Sequence, residues 1–153
     1  MQVSELEQFI VRAKAAAYAG SGPADAGSLP GTYDLAHAEG AFGYLDSYAG
    51  GSDFLGREVV TFEGRPVWAL GYYGYLLRPE LIDAGRAGEV IKASLTALYR
   101  EGRFLGGFRA THGEDVYVDT STGAVDRFEG REWIERAGER VYELVYHGGL
   151  IRP

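Results

Sequence analysis

Apolar residues near the N-terminus recur at helical spacing, with Leu6, Phe9, Ile10, Ala13 and Ala17 on one face. Ser4 and Glu7 have the spacing of a capping box and Gly20 is a natural stop, which predicts a helix over 4–19. Residues 20–31 hold turn-forming types and read as a loop. From Thr32 the period drops to two. Strands are predicted over 32–37, 41–48, 57–63 and 66–75, with turns at 38–40 and at Glu63-Gly64. Helical spacing returns over 80–101, where Val90, Ile91, Leu95 and Leu98 make the stripe and Gly102 ends it. Gly85 and Gly88 place the regular start near Ala87. Strands then resume over 104–111, 115–120, 131–137 and 140–147.

The second strand series repeats the first. Residues 56–79 and 130–153 align without a gap and are identical at 11 of 24 positions, among them Gly56/Gly130, Glu58/Glu132, Tyr72/Tyr146 and Gly74/Gly148. Chance predicts roughly two matches. With one inserted residue the similarity extends upstream, pairing Tyr44 with Tyr117, Asp46 with Asp119 and Asp53 with Asp126. A repeat of this length is one supersecondary unit built twice. The expected fold is therefore α+β: a helix plus a four-strand antiparallel meander, twice, over about 4–79 and 87–153 of a single domain. The two units combine into one antiparallel sheet of about eight strands, or a half-barrel, with both helices on one face and a local twofold between the halves.

A two-residue turn at Glu63-Gly64 puts paired residues on a common face. Strict alternation then sets Glu58, Val60, Val67 and Tyr73 on one side and Val59, Trp68, Leu70 and Tyr72 on the other. In the second copy Glu132, Glu143 and His147 share the first side. Trp133, Tyr142, Leu144 and Tyr146 share the second, which is read as the helix-covered core.

Composition narrows the function. The 15 Lys and Arg against 22 Asp and Glu give a net charge of −7, so the basic footprint of a nucleic-acid binder is missing. The chain has no cysteine, which removes disulfides, thiolate catalysis and cysteine zinc sites. Its longest apolar-rich stretch, 67–77, is far shorter than the about 20 residues of a spanning helix, and its N-terminus lacks the charge pattern of a signal peptide. A cytoplasmic location without membrane association is expected. No phosphate loop, nucleotide fingerprint, GxSxG or HExxH motif is present, so no cofactor is assigned.

Two kinds of site are open. Glu132, Glu143 and His147 on one face have the chemistry of a general acid–base set or a metal site, as in a small hydrolase or lyase. Alternatively, Tyr48, Asp53, Glu58, Tyr73 and His147 outline a ligand-binding surface, with the 48–53 loop at its rim. Eleven tyrosines and two tryptophans suit such a surface. Asp46, Asp53, Asp119 and Asp126 flank two Gly-containing loops where calcium or a polar ligand could sit. Three histidines, at 37, 112 and 147, would make a metal centre only if they converged, so no metal site is assigned.

The segments YLDSYAGGSDFLGREVVTFEGRPVWALGYYG (44–74) and VYELVYHGGLI (141–151) resemble an uncharacterised bacterial domain family, and the similarity runs from residue 9 to the C-terminus. Members of that family occur as stand-alone proteins and behind helix-turn-helix DNA-binding domains. The chain departs from the family pattern at Gly71, where the resemblance implies Asn. It implies no activity, but it suggests an accessory or sensing role. The expectation is a non-catalytic binding domain for a small molecule or a protein partner. An enzyme using the acid/His cluster stands second and a structural or homodimeric role third.

Overall fold

The structure is a computed structural model describing residues 1–19, 25–27 and 29–152. Part of the predicted 20–31 loop, including the Gly20 stop, lies outside the described residues. Among the described residues two helices, α1 (Val3–Ala19) and α2 (Ala84–Arg100), accompany nine strands. The first half holds β1 (Asp25–Ala26), β2 (Tyr33–Glu39), β3 (Phe42–Gly50), β4 (Phe54–Phe62) and β5 (Arg65–Leu76). The second holds β6 (Phe108–His112), β7 (Asp115–Ala124), β8 (Arg127–Arg136) and β9 (Glu139–Leu150). All nine form one antiparallel sheet in the order β1-β2-β3-β4-β5-β9-β8-β7-β6. The two-residue β1, on the edge beside β2, is an addition to the eight expected strands.

The strand order reads the same from either side of the β5–β9 seam once β1 is set aside. Tyr72 faces Tyr146 across that seam. These two are also each other's repeat equivalents, so the local twofold passes between them. The expected duplication is thus a symmetric sheet with its seam in the middle. Helix α1 lies over β2 and β3, α2 over β6 and β7, and the helices touch each other on the same face.

Local chemistry explains the ends of these elements. Helix α1 begins one residue before the predicted start. Glu5, and not a Ser4 capping box, supplies the end interaction by accepting the Gln2 backbone N–H at 3.0 Å. Helix α2 begins three residues before Ala87 because Asp83 caps it, its carboxylate accepting the Arg86 N–H at 2.8 Å. Glu63-Gly64 and Ala137-Gly138 are tight turns with both residues at positive φ, the geometry whose twist matches a hairpin.

Two residues beyond each turn the strict alternation fails. Thr61 pairs with Pro66, but Val60 pairs with Trp68, leaving Val67 as the extra residue of a β-bulge. In the second half Glu135 pairs with Arg140 and Ile134 with Tyr142, leaving Val141 extra. Each bulge moves the facing of one strand by a residue relative to the other. As a result Glu58 and Val60 share the covered face with Trp68, Leu70 and Tyr72, and Glu132 and Ile134 share it with Tyr142 and Leu144. The expected facing of β5 and β9 agrees with the structure from Trp68 and Tyr142 onward, while Val141, expected on the open face, is fully buried at the bulge; that of β4 and β8 is reversed. Val60, Trp68, Ile134 and Tyr142 are fully buried under the helices. Trp133, expected in the core, is on the open face, where the Arg140 guanidinium lies 4.1 Å from its ring centre.

The repeated glycines record close packing. Gly56 faces Tyr72 and Gly130 faces Tyr146, and a Cβ built at either glycine would fall about 2 Å from the tyrosine ring. Each tyrosine therefore lies flat across the neighbouring strand and delivers its hydroxyl two strands away from its own.

Candidate functional site

Between the sheet and α2 lies a cavity of about 360 Å³, within the range that holds small ligands. Its roof is Ile91, Leu95 and Leu98 of α2, together with Ala84, Ala87 and Gly88. Those three small residues leave the room; no atom lies within 4 Å of a Cβ built on Gly88.

The floor is polar and follows the repeat. Tyr72 donates to Asp46 Oδ1 at 2.8 Å, and Tyr146 donates to Asp119 Oδ1, also at 2.8 Å. Beside each aspartate stands a glutamate, since Asp46 pairs with Glu58 and Asp119 with Glu132 in the sheet. All four carboxylates line the cavity and all four are buried.

The two halves differ in what meets the glutamate. Lys14 of α1, only 4% exposed, places Nζ 2.6 Å from both oxygens of Glu58, with the hydrogen bond directed at Oε1. Its ammonium also lies 5.6 Å from the ring centre of Phe104. Among the described residues Glu132 meets no cation at that distance. It accepts the hydroxyls of Tyr117 and Tyr142, the latter at 2.8 Å.

Burial disfavours the charged form of a carboxyl group. It raises Asp46 to about 7, with help from the Glu58 charge and against the opposing pull of Tyr72 and Lys14. It raises Asp119 to about 6 against the Tyr146 hydrogen bond and the Arg103 charge. Glu132 is raised to about 7, with the Tyr117 and Tyr142 hydrogen bonds opposing. Three acids that titrate near neutrality thus line one cavity.

The sequence-derived candidates divide between the two faces. Tyr48, Glu58 and Glu132 line the cavity; Asp53, Tyr73, Glu143 and His147 do not. Glu143 and His147 lie on the open face of β9, opposite the face that carries Glu132. The acid–base trio drawn from strict alternation is therefore split across the sheet. His147 instead borders an open-face groove with Glu129, Arg131 and Val145. Tyr73 is exposed on the same face, and Asp53 is exposed in the β3–β4 turn. The histidines do not converge: His37 is near Phe9, His112 Nε2 lies 2.8 Å from Ser94 Oγ, and His147 is exposed. Among the described residues no three His, Cys, Asp or Glu side chains are grouped to hold a metal ion.

Lys14, Tyr142 and Tyr146 are site residues that the sequence reading missed. The signal for Lys14 was a single charge within an apolar helical stripe, between Ala13 and Ala17. The signal for the floor was the repetition of polar residues, since Asp46/Asp119 and Glu58/Glu132 recur together with the tyrosines that bond them.

No helix among the described residues is long and apolar enough to cross a membrane. No curated protein and no solved structure matches the chain. A family model described as a domain of unknown function, DUF5680, matches residues 46–151, from the first floor aspartate to the end of the last strand, and the chain belongs to that family.

Proposed function

We propose that this protein is a binding domain whose ligand is a small molecule held in the cavity between the sheet and α2. The observation that carries this reading is the combination of an apolar roof with four buried carboxylates on the floor. Burying ionisable groups beside empty volume costs stability, and a ligand that fills the space and meets the carboxylates offsets that cost. The family resemblance to domains that follow helix-turn-helix regulators fits a sensing role in a bacterial cytoplasm. Such a role needs binding and no chemistry.

The test is a thermal-shift screen of metabolites on the wild type and on Gly88→Leu, which adds bulk at an exposed helix position on the cavity's lining. A ligand at a hundred times its Kd stabilises the fold by about 2.7 kcal/mol, a shift of several degrees for a chain of this size. The wild type is expected to respond and the filled variant is not. A flat wild-type response across the screen, or equal responses in both proteins, refutes the assignment.

A further inference from the structure

Resting on the cavity being the ligand site, we infer that the ligand is an organic cation, a primary amine with an apolar body, whose ammonium sits between Asp119 and Glu132. The duplication itself carries this inference. Both helices are 17 residues long. Aligning them residue for residue from Val3 on Ala84 sets the apolar positions Leu6, Phe9 and Ile10 over Ala87, Val90 and Ile91. The same alignment sets Lys14 over Leu95.

In the first half the buried glutamate receives an ammonium from the helix above it. In the second half the aligned helix position is Leu95, whose methyl groups line the cavity in place of an ammonium. The carboxylates are repeated and the cation is not.

Asp119 shows the same deficit independently. It is 4% exposed and lines the cavity, and its Oδ2 has no hydrogen-bond partner among the described residues. A buried carboxylate oxygen without a donor is costly. An ammonium supplies three donors and a full charge. The cation belongs in the second half because Lys14 already occupies the first. An anion is disfavoured there, since four floor carboxylates face the two cations whose charges reach them, Lys14 and Arg103, and Lys14 is engaged by Glu58. The apolar body of the ligand lies against Ile91, Leu95 and Leu98.

Three sets of probes of matched shape test the charge: 2-phenylethylamine, 2-phenylethanol and phenylacetate; tryptamine, tryptophol and indole-3-acetate; hexylamine, hexanol and hexanoate. Calorimetry at pH 7.5 is expected to show at least one amine binding tenfold or more tighter than its alcohol, with the carboxylate weakest. Asp119→Asn and Glu132→Gln should each reduce that preference about tenfold.

Leu95→Lys provides a readout that needs no ligand. It brings an ammonium to the inferred place, so at pH 8 it should melt at or above Leu95→Met and no longer bind the amine. Leu95→Lys melting well below Leu95→Met, as expected of a buried lysine without a partner, overturns the inference. So does the absence of amine binding. If alcohols or carboxylates bind as well as the amines, the cation is wrong and the cavity reading survives. If no probe binds and the metabolite screen is flat, both fall.

Discussion

Replacing Glu132 with glutamine tests the electrostatics of the cavity floor in the absence of any ligand. Glu132 is fully enclosed, and burial moves it from an ordinary 4.5 to about 7. A carboxyl that holds its proton more tightly when folded stabilises the fold fully below the unfolded value, near pH 4.5. That contribution is lost as the pH rises to about 7. At about 1.4 kcal/mol for each tenfold change in proton affinity, ionising Glu132 in place costs on the order of 3 kcal/mol. Relaxation around it brings the expected effect to about 2 kcal/mol. Glutamine keeps the shape, can accept from one tyrosine hydroxyl and donate to the other, and has no charge to lose. Urea denaturation of both proteins at pH 5 and pH 8 reads this contribution together with its coupling to Asp119, whose charge adds to the Glu132 shift. The stability of Glu132→Gln relative to wild type should therefore rise by about 2 kcal/mol between pH 5 and pH 8, whatever constant offset the amide introduces. A difference that does not change with pH would mean that Glu132 is ionised throughout this range, and the account of the floor would be wrong.

Other expectations follow from packing and from the second buried acid. Gly56→Ala and Gly130→Ala each drive a methyl group into a tyrosine ring wedged between strands, and each should cost about 1–3 kcal/mol in chemical denaturation; a neutral result would contradict the flat packing of Tyr72 and Tyr146. Asp115 is fully buried and bridges Arg136 and Arg86 at 2.7 and 2.8 Å. Burial alone would raise its pKa, but the two guanidiniums hold it below the ordinary value. Asp115→Ala should cost about 3 kcal/mol at pH 7, because it removes the buried carboxylate the two guanidiniums share and leaves them only more exposed partners, Glu89 and Glu114. That loss should begin to shrink as the pH falls below about 4, and continue to shrink through the lowered pKa as the folded wild-type carboxylate takes up a proton.

The sequence by itself determined a good deal of this molecule. Identities such as Tyr72/Tyr146 and Gly56/Gly130 revealed the duplication. Helical and twofold periodicities placed both helices and eight strands, and Glu63-Gly64 named its turn. These features are local, or they repeat, so a pattern within one chain exposes them. Alternation also assigned most of β5 and β9 correctly, with Trp68, Leu70, Tyr142 and Leu144 inward, because those residues all lie on the far side of the bulge from the turn.

Only the tertiary structure decided the site. A bulge is one residue that pairs with nothing, and nothing in the type of Val67 or Val141 distinguishes it from a paired valine. Skipping it turned Glu58 and Glu132 from a solvated face into the core, and it separated Glu132 from Glu143 and His147. Lys14 is distant in sequence from the carboxylate it meets, and folding the helix over the sheet is what brings them together. The cavity arises from the same packing, because Ala84, Ala87 and Gly88 leave space only once α2 is laid across a floor of acids and tyrosines. Small residues and buried charges can be read from a chain, but the volume they enclose depends on which elements come to face each other.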